Sequence, residues 1–115
     1  MTSTIACKRG DVALVRFVFA DEQGAKRRPV LVLSTEPYHA GRAEVIVAAL
    51  TSNVGRLLPG DHVVRRWEAA GLPKASVVTA ILRTVKRSMI DGKLGTLDSR
   101  DLTAFSSGLR PLLGW

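Results

Sequence analysis

Three cations followed by a proline and an apolar run form the stretch of this sequence best suited to phosphate chemistry. Lys26, Arg27 and Arg28 precede Pro29, and residues 30–33 are all apolar. This short run, rich in β-branched residues, predicts a buried strand, with Pro29 as its first residue, where a missing N–H costs least. Arg28 would then lie at the rim of a packed sheet, where a rigid guanidinium can hold a phosphate. The alternative interpretation is a solvated basic turn beside a core strand.

A second polar group follows a later apolar segment. Thr51, Ser52 and Asn53 come directly after residues 44–50, which are predicted to form a strand. Side chains of this kind at a strand end either hydrogen-bond a ligand at the sheet rim or cap a turn. Arginine stabilises charge that grows on phosphate oxygens, and a hydroxyl donates a hydrogen bond to the same oxygens. Together with Arg83, which lies on another predicted strand, these groups are suited to phosphoryl transfer without a metal.

Two other groups are open to both a chemical and a structural interpretation. His39 lies beside Tyr38 in a segment predicted to be irregular, and it is either a general base or, more commonly for such a residue, simply solvated. Arg65 and Arg66 precede Trp67, and a basic pair beside an indole can contact single-stranded nucleic acid. The favoured interpretation of the second group is that Trp67 closes the core while the arginines point to solvent.

The charge balance favours an anionic partner. The 115 residues carry 17 Lys and Arg against 10 Asp and Glu, a net charge of +7. Most of these cations are arginines, which suit bidentate phosphate contacts better than lysines do. The expected partners are nucleic acid first, an acidic protein second and a membrane surface third. The alternative is that the charge serves only solubility.

Composition also bounds the class of protein. The length predicts one domain over residues 1–115, and 46% hydrophobic residues argue against disorder. One cysteine, two separated histidines and the absence of metal-binding, phosphate-loop or serine-hydrolase motifs predict neither a metal nor another cofactor. There is no apolar run of about 20 residues that would span a bilayer, and no signal peptide is recognised, so a cytoplasmic location is predicted.

The predicted elements form a small, highly curved antiparallel sheet or barrel with a helix packed on it. Residues 12–19 and 30–33 are expected to be antiparallel neighbours, joined by a polar loop. Asp91, Gly92 and Lys93 are predicted to form a tight turn, and a helix is predicted to begin at Asp98 as N-cap, with Asp101 close to a capping box. Five or six strands are expected, among them residues 12–19, 30–33, 44–50 and 76–85. The fold class is therefore mainly β with a C-terminal helix (α+β).

Four stretches, taken in order, resemble the MazF/PemK family of toxins. They are Gly10-Asp11-Val12 with its following strand, residues 28–34, residues 49–52, and residues 94–97 with the acid-capped helix after them. The resemblance covers nearly the whole chain. It implies an SH3-like small barrel that forms a homodimer and acts as the toxin of a type II toxin–antitoxin pair. It also implies a small acidic antitoxin as partner, and DNA binding through the antitoxin complex.

The same resemblance implies an activity and a set of site residues. Family members are mostly sequence-specific, metal-independent endoribonucleases (mRNA interferases), in which a ribose 2′-OH of single-stranded RNA attacks the neighbouring phosphate. The products are a cyclic phosphate and a 5′-OH. By motif, Arg28 matches the catalytic arginine that stabilises the phosphate or donates a proton, and Thr51 matches the threonine that hydrogen-bonds it. The residues expected to bind RNA are Lys26, Arg27, Ser52 and Arg83.

The sequence departs from the family pattern at one place. Many members carry an Asp in a late strand, but here residues 79–84 contain no acid. Asp21 and Glu22, in the loop before Lys26, are the substitute candidates for the acid or base. The alternative function is a family member that binds nucleic acid or an antitoxin without cleaving RNA. A third hypothesis is an interaction protein without nucleic-acid chemistry.

Overall fold

The computed structural model describes residues 6–18 and 25–115, and within them six antiparallel strands form one sheet. The strand order is β4-β5-β3-β2-β1-β6. This arrangement confirms the predicted fold class and the antiparallel pairing of the first two strands. No helix of the described residues is long and apolar enough to cross a bilayer. The elements are β1 (Asp11–Val18), β2 (Ala25–Val32), α1 (Glu36–Gly41), β3 (Glu44–Thr51), β4 (His62–Val63), β5 (Val77–Lys86), a 3₁₀ turn (Arg87–Met89), β6 (Ile90–Thr96) and α2 (Ser99–Leu113).

The sheet is covered by apolar side chains on both faces. Successive side chains of a strand point to opposite faces, so the nearly continuous apolar runs of β1, β2 and β3 supply two separate cores. On one face, Val12 and Leu31 pack in a cluster with Phe105 and Leu109 of α2. On the other face, the cluster consists of Ala13, Val15, Phe17, Val30, Val32, Val45, Val47, Val85 and Ile90.

The C-terminal helix begins where the sequence predicts. The Asp98 carboxylate caps the helix by accepting a hydrogen bond from the Arg100 N–H at 2.9 Å. The helix runs through Pro111 in its last turn and ends at Gly114, whose positive φ of 78° is the usual C-terminal conformation for glycine. Leu112, expected on the apolar face, is 53% exposed.

The predicted start of β2 is wrong. The strand begins at Ala25 rather than at Pro29, and Pro29 pairs with Leu14 of β1. Its ladder with β3 starts only at Val30, so the proline lies where β2 has one hydrogen-bonded neighbour instead of two. The three cations before Pro29 do not form a strand pattern in the sequence. This part of β2 is extended because it pairs with β1, and not because its residues prefer a strand.

The predicted tight turn at residues 91–93 is also wrong, because these residues lie inside β6. Two of them form ion pairs with residues of other strands. Asp91 pairs with Arg27 of β2, and Lys93 Nζ lies 3.3 Å from the carboxylate of Asp11 in β1. The segment expected to be irregular around His39 forms the short helix α1, with Pro37 in its first turn.

The loop between β4 and β5, residues 64–76, rests on β6 through two glycines. Gly71 has a φ of +81°, and a Cβ there would overlap the backbone of Leu94. A Cβ on Gly95 would in turn lie 2.5 Å from the Ala70 carbonyl oxygen. Only glycine permits this approach of one main chain to the other. The predicted role of Trp67 in this loop is confirmed, because it is half-buried against the core under α2, while Arg65 and Arg66 are exposed.

We expect Phe105→Ala to lower the free energy of unfolding by about 3–5 kcal/mol, the usual loss for a fully buried phenylalanine. Phe105 is 1% exposed and joins α2 to the sheet. Urea unfolding followed by circular dichroism measures the change. Leu112→Ala, on the same helix but exposed, is the matched control and should change the unfolding free energy little; equal losses in the two variants would contradict this account of the core.

Candidate active site

A cleft opens where β2 and β3 stop pairing. The last paired residues of this ladder are Val30 and Ala49. Two residues further along the same antiparallel register, Arg28 of β2 stands opposite Thr51 of β3, and the two strands no longer hydrogen-bond there. The resulting cleft has a volume of about 410 Å³ and is lined by Arg28, Pro29, Leu50, Thr51, Ser52, Leu72, Pro73, Lys74 and Ser76.

The Arg28 side chain is available to an anion. It is exposed, and within residues 6–18 and 25–115 no carboxylate or carbonyl accepts a hydrogen bond from its guanidinium. Its backbone is fixed by pairing with Val15 of β1. A guanidinium with free donors on a rigid strand is suited to bidentate contact with a phosphate.

The end of β3 presents two hydroxyls. Thr51 Oγ1 accepts a hydrogen bond from the Asn53 N–H at 3.1 Å, and Asn53 Oδ1 accepts one from the Gly55 N–H at 3.3 Å. This turn leaves the hydroxyl proton of Thr51 free to donate to a ligand in the cleft. Ser52 is exposed beside it. Asn53 therefore caps the turn, while Thr51 and Ser52 face the ligand side.

A bulge next to the cleft fixes this strand end. β5 carries extra residues opposite Ala49, and the Thr79 hydroxyl donates to the Ala49 carbonyl at 2.8 Å. Asp61 accepts hydrogen bonds from the N–H groups of Ala80 and Leu58, each at 3.0 Å. An acid, Asp61, is thus present beside residues 79–84, but it comes from the loop between β3 and β4. Its carboxylate hydrogen-bonds backbone N–H groups and does not line the cleft.

The other residues predicted to bind RNA lie outside the lining of this cleft, except Ser52. Lys26 and Arg83 share the sheet face of Arg28, and the Arg83 guanidinium lies 4.9 Å from the centre of the Phe17 ring. Arg27 points to the opposite face, where it pairs with Asp91. The candidate acid or base residues, Asp21 and Glu22, fall outside the described residues.

His39 fits neither interpretation derived from the sequence. It is buried in α1, and its Nε2 forms a 2.6 Å hydrogen bond with Ser34 Oγ, which also accepts the Ile46 N–H at 2.9 Å. This chain of hydrogen bonds fastens α1 to β2 and β3. His39 does not line the cleft of Arg28 and Thr51.

The sequence interpretation missed Lys74 and Ser76. Both come from the loop at residues 64–76 and line the same cleft as Arg28. Ser76 Oγ donates to the Lys74 carbonyl at 2.8 Å, which holds the loop end against the sheet. The only local signal was a lysine directly after a proline in a turn, and a pattern of that kind does not reveal its spatial neighbour.

A second polar cluster surrounds Asp101, which is 2% exposed. Instead of completing a capping box, its carboxylate accepts hydrogen bonds from His62 Nε2 at 2.8 Å and from the N–H groups of Arg65 and Arg66 at 3.0 and 3.1 Å. Burial acts to raise the pKa of Asp101, but these three hydrogen bonds outweigh it and hold the pKa below its usual range. A cleft of about 470 Å³ lies here, lined by His62, Arg65, Arg66, Asp98, Arg100, Asp101 and Ala104.

The fold and the cleft define a class of small, mainly β proteins with a basic, hydroxyl-bearing site at a sheet rim. Solved structures share this architecture. A MazE–MazF complex from Deinococcus radiodurans matches with a TM-score of 0.77 at 23% identity, covering 94% of this chain and 96% of that one. A mycobacterial endoribonuclease in complex with its cognate antitoxin matches with a TM-score of 0.74 at 19% identity, covering 95% and 96% of the two chains.

Sequence comparison assigns the family. A family described as "PemK-like, MazF-like toxin of type II toxin-antitoxin system" matches residues 8–113. Endoribonuclease MazF6 of Mycobacterium tuberculosis is 38% identical over 94 residues, which cover 79% of this chain and 82% of the relative; Endoribonuclease MazF2 of Mycobacterium bovis matches to the same extent. The chain belongs to the PemK-like, MazF-like toxins of type II toxin–antitoxin systems. The resemblance to this family is thus confirmed.

We expect Asp101→Asn to lower the free energy of unfolding at neutral pH by about 1–3 kcal/mol, because the amide leaves a buried N–H without an acceptor. Since folding lowers the pKa of Asp101, its stabilising contribution is complete above the unfolded value of about 3.9 and is lost as pH falls through the lower folded value. The gap between wild type and variant should therefore narrow below about pH 4.

Chemical unfolding at a series of pH values measures this gap. The exposed Glu68→Gln removes the same charge without a buried partner and is the control. A gap between wild type and Asp101→Asn that stays constant down to the acid limit of folding would contradict the assigned hydrogen bonds.

Proposed function

We propose that this toxin is a metal-independent, sequence-specific endoribonuclease that cleaves single-stranded RNA in the cleft between the ends of β2 and β3. The relatives with similar sequences are named as endoribonucleases. The observation that carries the proposal is the position of Arg28 opposite Thr51, with Lys74 in the lining of the same cleft. One guanidinium, one ammonium and hydroxyls around a single cleft are donors suited to a phosphodiester.

The proposed reaction is an internal transfer. The ribose 2′-OH attacks the adjacent phosphorus, the bond from phosphorus to the 5′ oxygen breaks, and the products are a cyclic phosphate and a 5′-OH. Arg28 binds the two non-bridging oxygens, on which negative charge grows in the pentavalent transition state. The Thr51 hydroxyl donates to one of the same oxygens. The pairing of β2 with β1 fixes the backbone of Arg28, so that only its side chain has to orient on the phosphate.

Proton transfer needs groups beyond those that line the described cleft, where there is no carboxylate or imidazole. Asp21 and Glu22 lie seven and six residues before Arg28 in the sequence. We retain them as the candidates for removing the 2′-OH proton, and Arg28 as a candidate for donating one to the leaving oxygen.

The proposed partners follow from the charge and from the relatives. The net charge of +7 favours single-stranded RNA and a small acidic antitoxin that folds over the cleft as it binds. One protein of similar structure, a mycobacterial endoribonuclease, is in complex with its cognate antitoxin. We further propose a homodimer, a single toxin domain over residues 1–115, and a cytoplasmic location.

We expect Arg28→Ala to slow RNA cleavage by about 10²- to 10³-fold, the usual loss when one preorganised donor to a developing charge is removed. The assay incubates purified protein with mixed-sequence single-stranded RNA in EDTA and detects fragments with cyclic phosphate ends. Arg16→Ala is the control, because Arg16 is also exposed but stands opposite Arg27, on the other face of the sheet. Wild-type cleavage should persist in EDTA.

Equal rates in wild type and Arg28→Ala would contradict the site. If the folded wild type leaves all RNA intact but binds it in a salt-sensitive way, the alternative function applies, and the protein is a family member that binds without cleaving. Undetectable affinity for RNA together with undetectable affinity for a co-encoded acidic partner would favour the third hypothesis.

We expect Thr51→Val to slow cleavage by about 10- to 100-fold, because a hydrogen bond to a charged group is worth roughly 1.5–3 kcal/mol. Valine keeps the shape of threonine and removes only the hydroxyl. Thr51→Ser keeps the hydroxyl and is the matched control, so its rate should stay near that of wild type. Single-turnover rates at saturating enzyme measure the chemical step, and equal loss in both variants would indicate a packing role instead.

A further inference from the structure

The cleft built on Asp101, defined above by its lining residues, has no role in the reaction just described. We propose that this Asp101 cleft binds a backbone phosphate of the RNA strand flanking the one that is cleaved. The inference rests on the proposed function, because it assigns a second contact to the same substrate. It is carried by three observations: a rigid support, positive charge that is only partly compensated, and a loop that is shared with the cleavage site.

The support is the Asp101 carboxylate itself. By accepting hydrogen bonds from His62 and from the N–H groups of Arg65 and Arg66, it fixes the chain on both sides of Val64 around a single point. Three donors satisfy most of the acceptor capacity of this carboxylate and neutralise much of its field. The Asp101 cleft therefore has a preorganised backbone, with arginine side chains that are left to face solvent.

The charge in this cleft is only partly compensated. Among the described residues, Arg27 and Arg42 pair with carboxylates, while Arg9 and Arg87 donate to a hydroxyl or to carbonyls. Arg66 lies 3.7 Å from Asp98. The guanidinium groups of Arg65 and Arg100, like that of Arg28, have no acceptor among the residues that the structure describes, and both line the cleft. Two free guanidinium groups at one cleft favour a phosphate, which accepts bidentate contacts.

The loop at residues 64–76 connects the two clefts. One end of the loop carries Arg65 into the Asp101 cleft, and the other end carries Lys74 and Ser76 into the cleavage site. The Val64 N–H donates to the Ser76 carbonyl at 2.9 Å, which closes the loop. Val64 and Ser76 are hydrogen-bonded, and Arg65 is the next residue after Val64. The backbones of Arg65 and Ser76 therefore lie within roughly 10 Å of each other. The two ends of this closed loop therefore each contribute to one of the two clefts.

The contact is to the backbone rather than to a base. Trp67, the only aromatic residue near these arginines in the sequence, is half-buried against the core and is not among the lining residues of the cleft. Without an aromatic surface on which to stack, a base gains little here, whereas a phosphate gains charge-assisted hydrogen bonds. The Asp101 cleft should therefore raise affinity for single-stranded RNA without changing which sequence is cleaved.

Salt-dependent binding to an RNA that cannot be cleaved tests this proposal. The probe is a single-stranded RNA with 2′-O-methyl groups at every position, titrated with wild type, Arg65→Ala, Arg100→Ala and Arg16→Ala over a range of salt concentrations. Each of the first two substitutions should weaken binding and reduce the slope of log K against log salt, by at most roughly 0.7, the value for one phosphate contact in a single strand. Arg16→Ala removes the same charge from a surface outside both clefts, and its slope should stay at the wild-type value.

The two substitutions keep the supporting bonds, because Asp101 contacts only the backbone N–H of Arg65, and Arg100 is exposed in the first turn of α2. If Arg65→Ala unfolds at a lower temperature than wild type, Arg100→Ala alone decides. Wild-type slopes in both variants, or an equal reduction in Arg16→Ala, would overturn the proposal. A protein that binds with the expected slopes but cleaves nothing would refute the proposed reaction alone, whereas unchanged slopes with cleavage lost in Arg28→Ala would refute the second contact alone.

Discussion

The cleft of Arg28 and Thr51 depends on the early end of the ladder between β2 and β3. Proline cannot donate to a neighbouring strand, and Pro29 stands at the residue before this ladder begins. Beyond it, β2 continues to pair with β1 alone, so Arg28 keeps a rigid backbone while the space on its other side opens. A fully paired sheet would leave no cleft between Arg28 and Thr51. The interruption of this ladder thus leaves the Arg28 backbone fixed by β1 and its side chain accessible from the cleft.

The bulge in β5 is the counterpart of this interruption. It forces β3 and β5 out of register next to Ala49, and the Thr79 hydroxyl together with the Asp61 carboxylate satisfies backbone groups that the bulge leaves without partners. Bulges commonly re-aim side chains beside functional sites. Here two separate irregularities, one on each side of β3, determine where Thr51 points. Both are held by specific polar side chains rather than by packing alone.

The sequence predicted most of the fold, and the limits have physical reasons. Arg28 and Thr51, the predicted catalytic residues, line one cleft of the structure, and their role stays a prediction. Apolar runs identified β1, β3 and β5, and Asp98 identified the start of α2, because burial and capping leave local patterns. The beginning of β2 and the strand character of residues 91–93 depend on pairing with β1, which has no local signature. Lys74 and the bonds from Asp101 to His62 and Arg65 join residues that are distant in sequence. A single sequence does not reveal such pairs.

In the loop at residues 64–76, the residues that attach the loop to β6 differ from the residues that are exposed to a ligand. The loop is fastened through main-chain atoms at Gly71 and Gly95, together with the buried side chains of Val64, Ala70 and Leu72. Its exposed positions, which include Arg65 and Lys74, contribute little to that attachment. Substitutions at the exposed positions are therefore compatible with the fold, whereas any side chain at Gly71 or Gly95 would push the loop away from β6.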